Sequence, residues 1–299
     1  MMRAAALCMV ALGVGCTSFI DNKAASSTYR ILEKSMVAAG RQSDLQLARE
    51  ALPGGIMQLE AFSLAYPGHR GFKVMHADAV CQYAVAFVFD DWEEATLTGH
   101  GEVADRTAER LIGLTDACVA ANLALLPPAW REAHARGAAA YEAQLATMTR
   151  AEVPAVLWIA MAGAVQIATA PAANLLRLPL VKAALARCTQ VWPGYHDADA
   201  EILLGTLDAG LARFFGGSDG SARFAAARTL TGTRVLAVEV MYARGVAVAK
   251  KDRALFTSTL ERVLAVDVTR WTDRRLANEL ARKKARRYLA AIDRLIPPT

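Results

Sequence analysis

At 299 residues, with 54% hydrophobic and 21% charged side chains, the chain is apolar enough to fold and too charged to be a membrane bundle. Its formal net charge of +5 comes from arginine-rich basic residues spread thinly among acids. No zinc-finger spacing, RNA-binding aromatic pattern or basic arm accompanies that charge, which argues against nucleic acid as a partner.

The N-terminus reads Met1-Met2-Arg3, an apolar run from Ala4 to Val14, then Gly15-Cys16. This is the pattern of a bacterial lipoprotein signal, with cleavage before Cys16 and lipid on Cys16. The run is too short to cross a bilayer, which takes about 20 residues. Gly13 stands where a larger aliphatic residue is usual, with Leu12 one position earlier. Thr17 rather than aspartate follows the cysteine, so the expected address is the periplasmic face of the outer membrane, with the inner membrane as the alternative. The expected organisation is a signal at 1–15, a polar tether at 16–28 and one helical domain over 29–299.

Beyond the tether, helix formers fill almost every long segment, and alternating patterns are absent. Segment 29–50 predicts one helix or two, with a break near Gly40. Pro53-Gly54-Gly55 predicts a stop, and a helix through Met57, Leu59, Phe62 and Tyr66 ends at Pro67-Gly68. Helices follow over 71–92, 100–124 and 130–147, with Pro127-Pro128 as a breaker. Val153–Thr169 is apolar enough to be a buried helix. A helix begins at Leu178-Pro179 and stops at Pro193-Gly194, and another covers 197–214. From Leu276 onward Leu280, Ala281, Tyr288, Leu289 and Ile292 form an apolar face. Arg282, Lys283, Lys284, Arg286 and Arg287 form a basic one, expected to be solvated.

Paired helices of this length suggest a solenoid-like repeat. Gly220, Phe224 and Ala227 have the offsets of the second helix of a tetratricopeptide unit, and Phe256 with Thr259 repeats them 32 residues on. Leu204-Gly205 is the candidate first-helix pair, although its gap to Gly220 is too long. The expected fold class is therefore all-α: stacked antiparallel helix pairs with degenerate tetratricopeptide-like repeats. A non-repetitive helical bundle is the alternative.

Apart from Cys8 and Cys16, three cysteines remain: Cys81, Cys118 and Cys188. An odd number gives no complete disulfide framework, and each reads as a small buried hydrophobe. One bridge, with 81–118 as the first choice, is compatible with an oxidising space. His196, Asp197, Asp199 and Glu201 are the densest set of donors. No glycine gives that stretch a calcium-loop geometry, so no metal is expected. The acids are read as residues favoured at a helix N-terminus or as a polar partner surface. Asp90, Asp91, Glu93 and Glu94 read as a charged helix end. No nucleophile elbow, phosphate loop or zinc-protease motif is present, so neither an enzyme nor a cofactor is expected.

Several pieces together resemble the T component associated with tripartite ATP-independent periplasmic (TRAP) transporters, a family of tetratricopeptide-like lipoproteins. They are Trp158, Trp192-Pro193-Gly194-Tyr195-His196, Leu204-Gly205, Ala222-Arg223-Phe224 and Val240-Met241-Tyr242-Ala243. Asp252 to Phe256, Leu260 to Leu264, and Asn278 with Ala281 complete the set. The chain departs from the family in carrying Asp197, Asp199 and Glu201 where a glycine- and aromatic-rich segment is usual. The resemblance implies a non-enzymatic, lipid-anchored accessory that forms a homotrimer and docks a periplasmic solute-binding protein delivering a hydrophobic small ligand. Trp158, Trp192, Tyr195 and Tyr242, apolar faces with polar edges, are candidates to line a ligand cleft, with ordinary interhelical core as the alternative, and the resemblance favours the first three. The alternatives are a general protein-binding scaffold of the cell envelope and a cell-wall-active enzyme.

Overall fold

Alanine, leucine and arginine, all strong helix formers, carry the chain from helix to helix, and the described residues contain no strand. The computed structural model describes residues 23–298. The expected signal and Cys16 lie outside the described residues.

Helix α1 covers residues 23–40, so residues 23–28 of the expected tether are helical. The chain breaks after Gly40 and restarts as α2 (Leu45–Ala65), where the Asp44 carboxylate accepts hydrogen bonds from the backbone N–H groups of Gln46 and Leu47. The expected stop at Pro53-Gly54-Gly55 is not observed: α2 runs through all three residues. An interior proline costs a helix about 3 kcal/mol. Packing of Ala48, Ile56 and Leu59 against neighbouring helices on both sides of Pro53 offsets it.

Next, α3 (Arg70–Tyr83), a π-helical turn (Ala84–Val88) and α4 (Phe89–Thr98) follow without interruption. Helix α5 (Gly101–Leu125) packs on both α3 and α4. Segment 130–147, expected as one helix, is two. Helices α6 (Pro128–Arg136) and α7 (Ala138–Ala146) meet at Gly137, whose φ of 98° no helix accommodates. Helix α8 has the expected bounds, Val153–Thr169, and is buried almost all round between α5 and α10. The short α9 (Pro171–Asn174) leads to α10 (Leu178–Val191), which packs on α11 (Asp199–Phe215). After α12 (Ser221–Thr231) come α13 (Ala237–Tyr242), a second π-helical turn (Ala243–Ala247) and α14 (Arg253–Ala265). Helices α15 (Arg275–Ala290) and α16 (Ile292–Leu295) complete the fold. Short links between neighbours that pack on each other make antiparallel pairs, and the all-α expectation holds.

The small-residue pattern acts at the contact of α11 with α12. Gly220 has φ 77°, and a Cβ there would lie 2.2 Å from the carbonyl oxygen of Gly205. A Cβ on Gly205 would in turn meet the Phe224 ring at 2.9 Å. Phe224 and Ala227 are fully buried behind this approach, as are Phe256 and Thr259 at the corresponding positions of α14. We expect Gly220→Ala to lower stability by about 2–3 kcal/mol, from left-handed strain plus a backbone clash. Urea unfolding checks this, and a loss under about 0.5 kcal/mol would show that the two helices separate easily.

Helix α15 returns to the first half of the chain, where Leu276 and Leu280 pack with α2, α4 and the first π-helical turn. The acidic stretch meets the basic face here. Lys283 Nζ lies 2.8 Å from Asp90 Oδ2, and Lys284 Nζ lies 3.0 Å from Asp90 Oδ1 and 2.9 Å from Glu93 Oε2. Arg287 Nη2 donates to Asp90 Oδ1 at 2.8 Å and also contacts Glu93, while the Tyr288 hydroxyl donates to Glu93 Oε1 at 2.6 Å. The Asp90 side chain is 3% exposed and that of Arg287 9%. Two expectations are thereby corrected. The acids are not a charged helix end, because the helix continues through them. The basic face is not simply solvated, because three of its cations are spent on those acids. The π-helical turn, with its extra residue, helps bring Asp90 and Glu93 round to face α15.

A disulfide joins Cys81 of α3 to Cys118 of α5, with the Cα atoms 5.1 Å apart. Cys188 is free and buried, and burial pushes its thiol up to about 12. It is chemically quiet.

Candidate functional site

Three of the four aromatic cleft candidates come together around His196. The Trp158 indole, buried on α8, meets the His196 ring edge-on with centroids 5.4 Å apart. Tyr195 lies 6.0 Å from His196 and 4.7 Å from Trp192. Trp192 is 37% exposed, with the Arg150 guanidinium 5.5 Å from its ring centroid. Tyr242 is elsewhere: it packs edge-on against Phe224 under the Arg228 guanidinium.

Carboxylates anchor this cluster at both ends. The Trp158 Nε1–H donates to Asp78 Oδ1 at 2.9 Å, and His196 Nδ1 sits 2.6 Å from Asp199 Oδ2. Burial raises the Asp78 carboxyl, against the lowering effect of the Trp158 hydrogen bond and the His196 charge, and the net direction is up. Burial alone would lower His196. The hydrogen bond and charge of Asp199, with Asp197 and Asp78 beyond, outweigh it and raise the imidazole above its ordinary value. Tyr195 is pushed up to about 12 by burial and the neighbouring acids. His196 is therefore a cation over more of the neutral range than a free histidine.

The turn that places these groups is unusual. His196, Asp197 and Ala198 have φ values of 48°, 60° and 60°. Left-handed backbone costs about 1–2 kcal/mol per non-glycine residue. The His196–Asp199 pair, complete burial of Ala198 and contacts of Asp197 with Arg274 and Arg234 offset it. The partner-surface candidates consequently separate. Asp199 starts α11 and holds His196. Asp197 binds the two arginines. Glu201 is buried, with Arg223 Nη1 at 3.2 Å from Oε2, and presents no free surface. Among the described residues no group of three or more His, Cys, Asp or Glu is placed to hold a metal ion. Sequence reasoning missed Asp78, Arg234 and Arg274. The only local signal was an acid between the buried Ala77 and Ala79.

Raised histidine basicity has a measurable consequence. The His196 pair stabilises the fold fully below about pH 6.5, the unfolded value, and that contribution is lost as pH rises through the higher folded value. NMR titration is expected to place the His196 midpoint above 6.5, and Asp199→Asn to bring it down. A wild-type midpoint below 6.5 would contradict this geometry.

Concave surfaces lie beside Asp78 and beside His196, and another lies between α1 and α2. A cavity of about 430 Å³ lies beside Asp78, Arg70, Asn122 and Pro154, and a polar one of about 330 Å³ lies beside His196 and Asp197. An apolar cavity of about 420 Å³ opens between α1 and α2, lined by Leu32, Met36, Leu47, Leu52 and Leu59 among others.

Stacked helix pairs around an aromatic and carboxylate cluster, with cavities between the helices, define an all-α helical-pair protein. A family model for the TRAP transporter T-component matches residues 41–296, nearly all of the described chain. The chain belongs to that family, and is thereby an accessory component of a TRAP transporter, acting in the cell envelope with the transporter's other components. The family is a transporter component rather than an enzyme class. A curated relative from Treponema pallidum (strain Nichols), itself described only as an uncharacterized protein, is 24% identical over 259 residues. The match covers 82% of this chain and 78% of the relative. No described helix is long and apolar enough to cross a membrane.

Proposed function

We propose that the chain is a lipid-anchored periplasmic accessory that docks a TRAP-type solute-binding protein and exchanges a hydrophobic small molecule with it. The observation that carries this reading is the family match over residues 41–296. The signal pattern ending at Cys16 supports the anchor. The Cys81–Cys118 bridge supports an oxidising compartment. The apolar cavity between α1 and α2 supports an apolar guest. Trp192 and Tyr195 are the candidate cleft residues that a guest or partner reaches. Trp158, behind them, and Tyr242, on the other side of α11, act as packing. Trimer formation follows the family resemblance.

The test is a pull-down of the protein, freed of its signal, against purified periplasmic solute-binding proteins, with native mass spectrometry of what is retained. Recovery of a TRAP-type solute-binding protein with a lipophilic mass is the expected result. Recovery of none would count against the docking reading.

A further inference from the structure

Helix α1 turns Tyr29 and Leu32 inward, against Leu59 of α2 and Met75 and Ala79 of α3. Its other side is exposed. There Lys23, Ser27, Arg30, Lys34 and Val37 recur at intervals of three and four, and so share one face, with Arg41 in the turn beyond. Ile31 and Val37 stand among these cations, 67% and 50% exposed.

The neighbouring acids are held off that face. Glu33 lies on its flank, hydrogen-bonded to the Tyr29 hydroxyl. Asp44 caps α2, and Glu50 accepts from the Gln46 side chain at 2.9 Å. Asp273, which approaches Gly40 with its backbone carbonyl, pairs with Arg274. Over residues 23–44 the four cations Lys23, Arg30, Lys34 and Arg41 stand against the two acids Glu33 and Asp44, a formal balance of +2. Arg30, Lys34 and Arg41 make no ion pair among the described residues; Arg30 Nε donates to the Ser26 carbonyl at 3.3 Å.

The chain itself says what lies nearby. Six residues separate Cys16 from Lys23. An extended chain covers at most about 3.6 Å per residue, so lipid on Cys16 keeps the start of α1 within about 25 Å of the bilayer. Anionic headgroups attract a row of lysine and arginine, and aliphatic side chains between them enter the boundary of headgroup and acyl chain.

We propose that the outer face of α1 lies against the anionic phospholipid surface to which Cys16 is anchored, and so fixes the orientation of the helical domain on the membrane. The placement rests on the anchor part of the reading above; the docking of a solute-binding protein is not needed for it.

Vesicle sedimentation of the chain from Thr17 onward, which carries no lipid and keeps every described residue, tests the face directly. Binding to vesicles of phosphatidylglycerol mixed with phosphatidylcholine is expected to be at least about tenfold tighter than to phosphatidylcholine alone. Raising salt from about 0.05 M to about 0.5 M should abolish most of that preference. Each cation near such a surface is worth roughly fivefold, so Arg30→Gln with Lys34→Gln is expected to weaken binding at least about tenfold, with an unchanged melting temperature. Arg136→Gln with Lys251→Gln removes the same charge from exposed positions elsewhere and should weaken binding by less than about twofold. Equal binding to the two vesicle types, or equal losses in the two double variants, would overturn the proposal. Mass spectrometry of Cys16 in the full chain tests the anchor separately. An unmodified Cys16 would overturn the anchor and with it the placement of this face. A lipidated Cys16 with no preference for anionic vesicles would overturn this proposal alone.

Discussion

Arg287→Ala is expected to destabilise the protein by about 3–5 kcal/mol, the penalty for removing one partner from a buried ion pair. Asp90 and Glu93 would stay buried with Lys284 and Lys283 alone, and the Tyr288 hydroxyl would keep only part of its network. The loss comes less from the attraction removed than from charge left without a partner in a low-dielectric place. Urea denaturation of wild type, Arg287→Ala, Asp90→Asn and the double variant closes a cycle. A coupling near zero would show Arg287 and Asp90 to act independently.

The same network sets the acid limit of the fold. Burial alone would raise the Asp90 and Glu93 carboxyls. Lys284 and Arg287, with Lys283 on Asp90 and Tyr288 on Glu93, hold both below the usual carboxylate range. The folded state therefore binds these protons less readily than the unfolded chain. The stabilisation is complete above about pH 4, the unfolded value, and is lost as pH falls through the lower folded values. Stability should decline steeply below about pH 4, and Arg287→Ala should flatten that decline.

Removing the bridge with Cys81→Ala and Cys118→Ala together should lower stability by about 4 kcal/mol. The bridge closes a loop with a sequence separation of 37 and restricts the unfolded chain accordingly. Both sulfurs are buried, and Asn122 Nδ2 lies 3.2 Å from Cys81 Sγ while donating to the Cys118 carbonyl at 2.9 Å. Reductant should therefore act on the native protein only as it opens. Paired melts of the double variant and wild type, with and without dithiothreitol, test both statements. Equal melting temperatures in all four samples would mean that packing of α3 on α5 alone holds this contact.

Much of the fold was legible because helix periodicity is local. Val153–Thr169 matched to the residue, since thirteen of its residues are buried and few polar residues interrupt them. The Gly220, Phe224 and Ala227 spacing marked a true close approach, because a missing Cβ is needed wherever two backbones touch. Pro53-Gly54-Gly55 misled for the opposite reason: its propensity cost is local, and the packing that outweighs it comes from helices elsewhere in the chain. Gly137 gave little warning, because its turn breaks a segment that is otherwise a good helix.

The site was half legible. Trp158, Trp192 and Tyr195 were recognisable as cleft candidates, though grouped with Tyr242, while His196 was placed with the acids; their convergence depends on α3 carrying Asp78 beneath Trp158 and on a left-handed turn that no propensity favours. The acids at 90–94 looked like a charged helix end and the bases at 283–287 like a solvated face because each was read on its own helix.

By itself, the sequence determined the helices, their apolar faces and the family, all of which depend on residues a few positions apart or in a recurring order. Only the tertiary structure decided which cysteines pair, which charges are buried, and which arginines share Asp197. Those choices depend on contacts between residues far apart in the chain, and Coulomb attraction, desolvation and loop closure are set by distance in space.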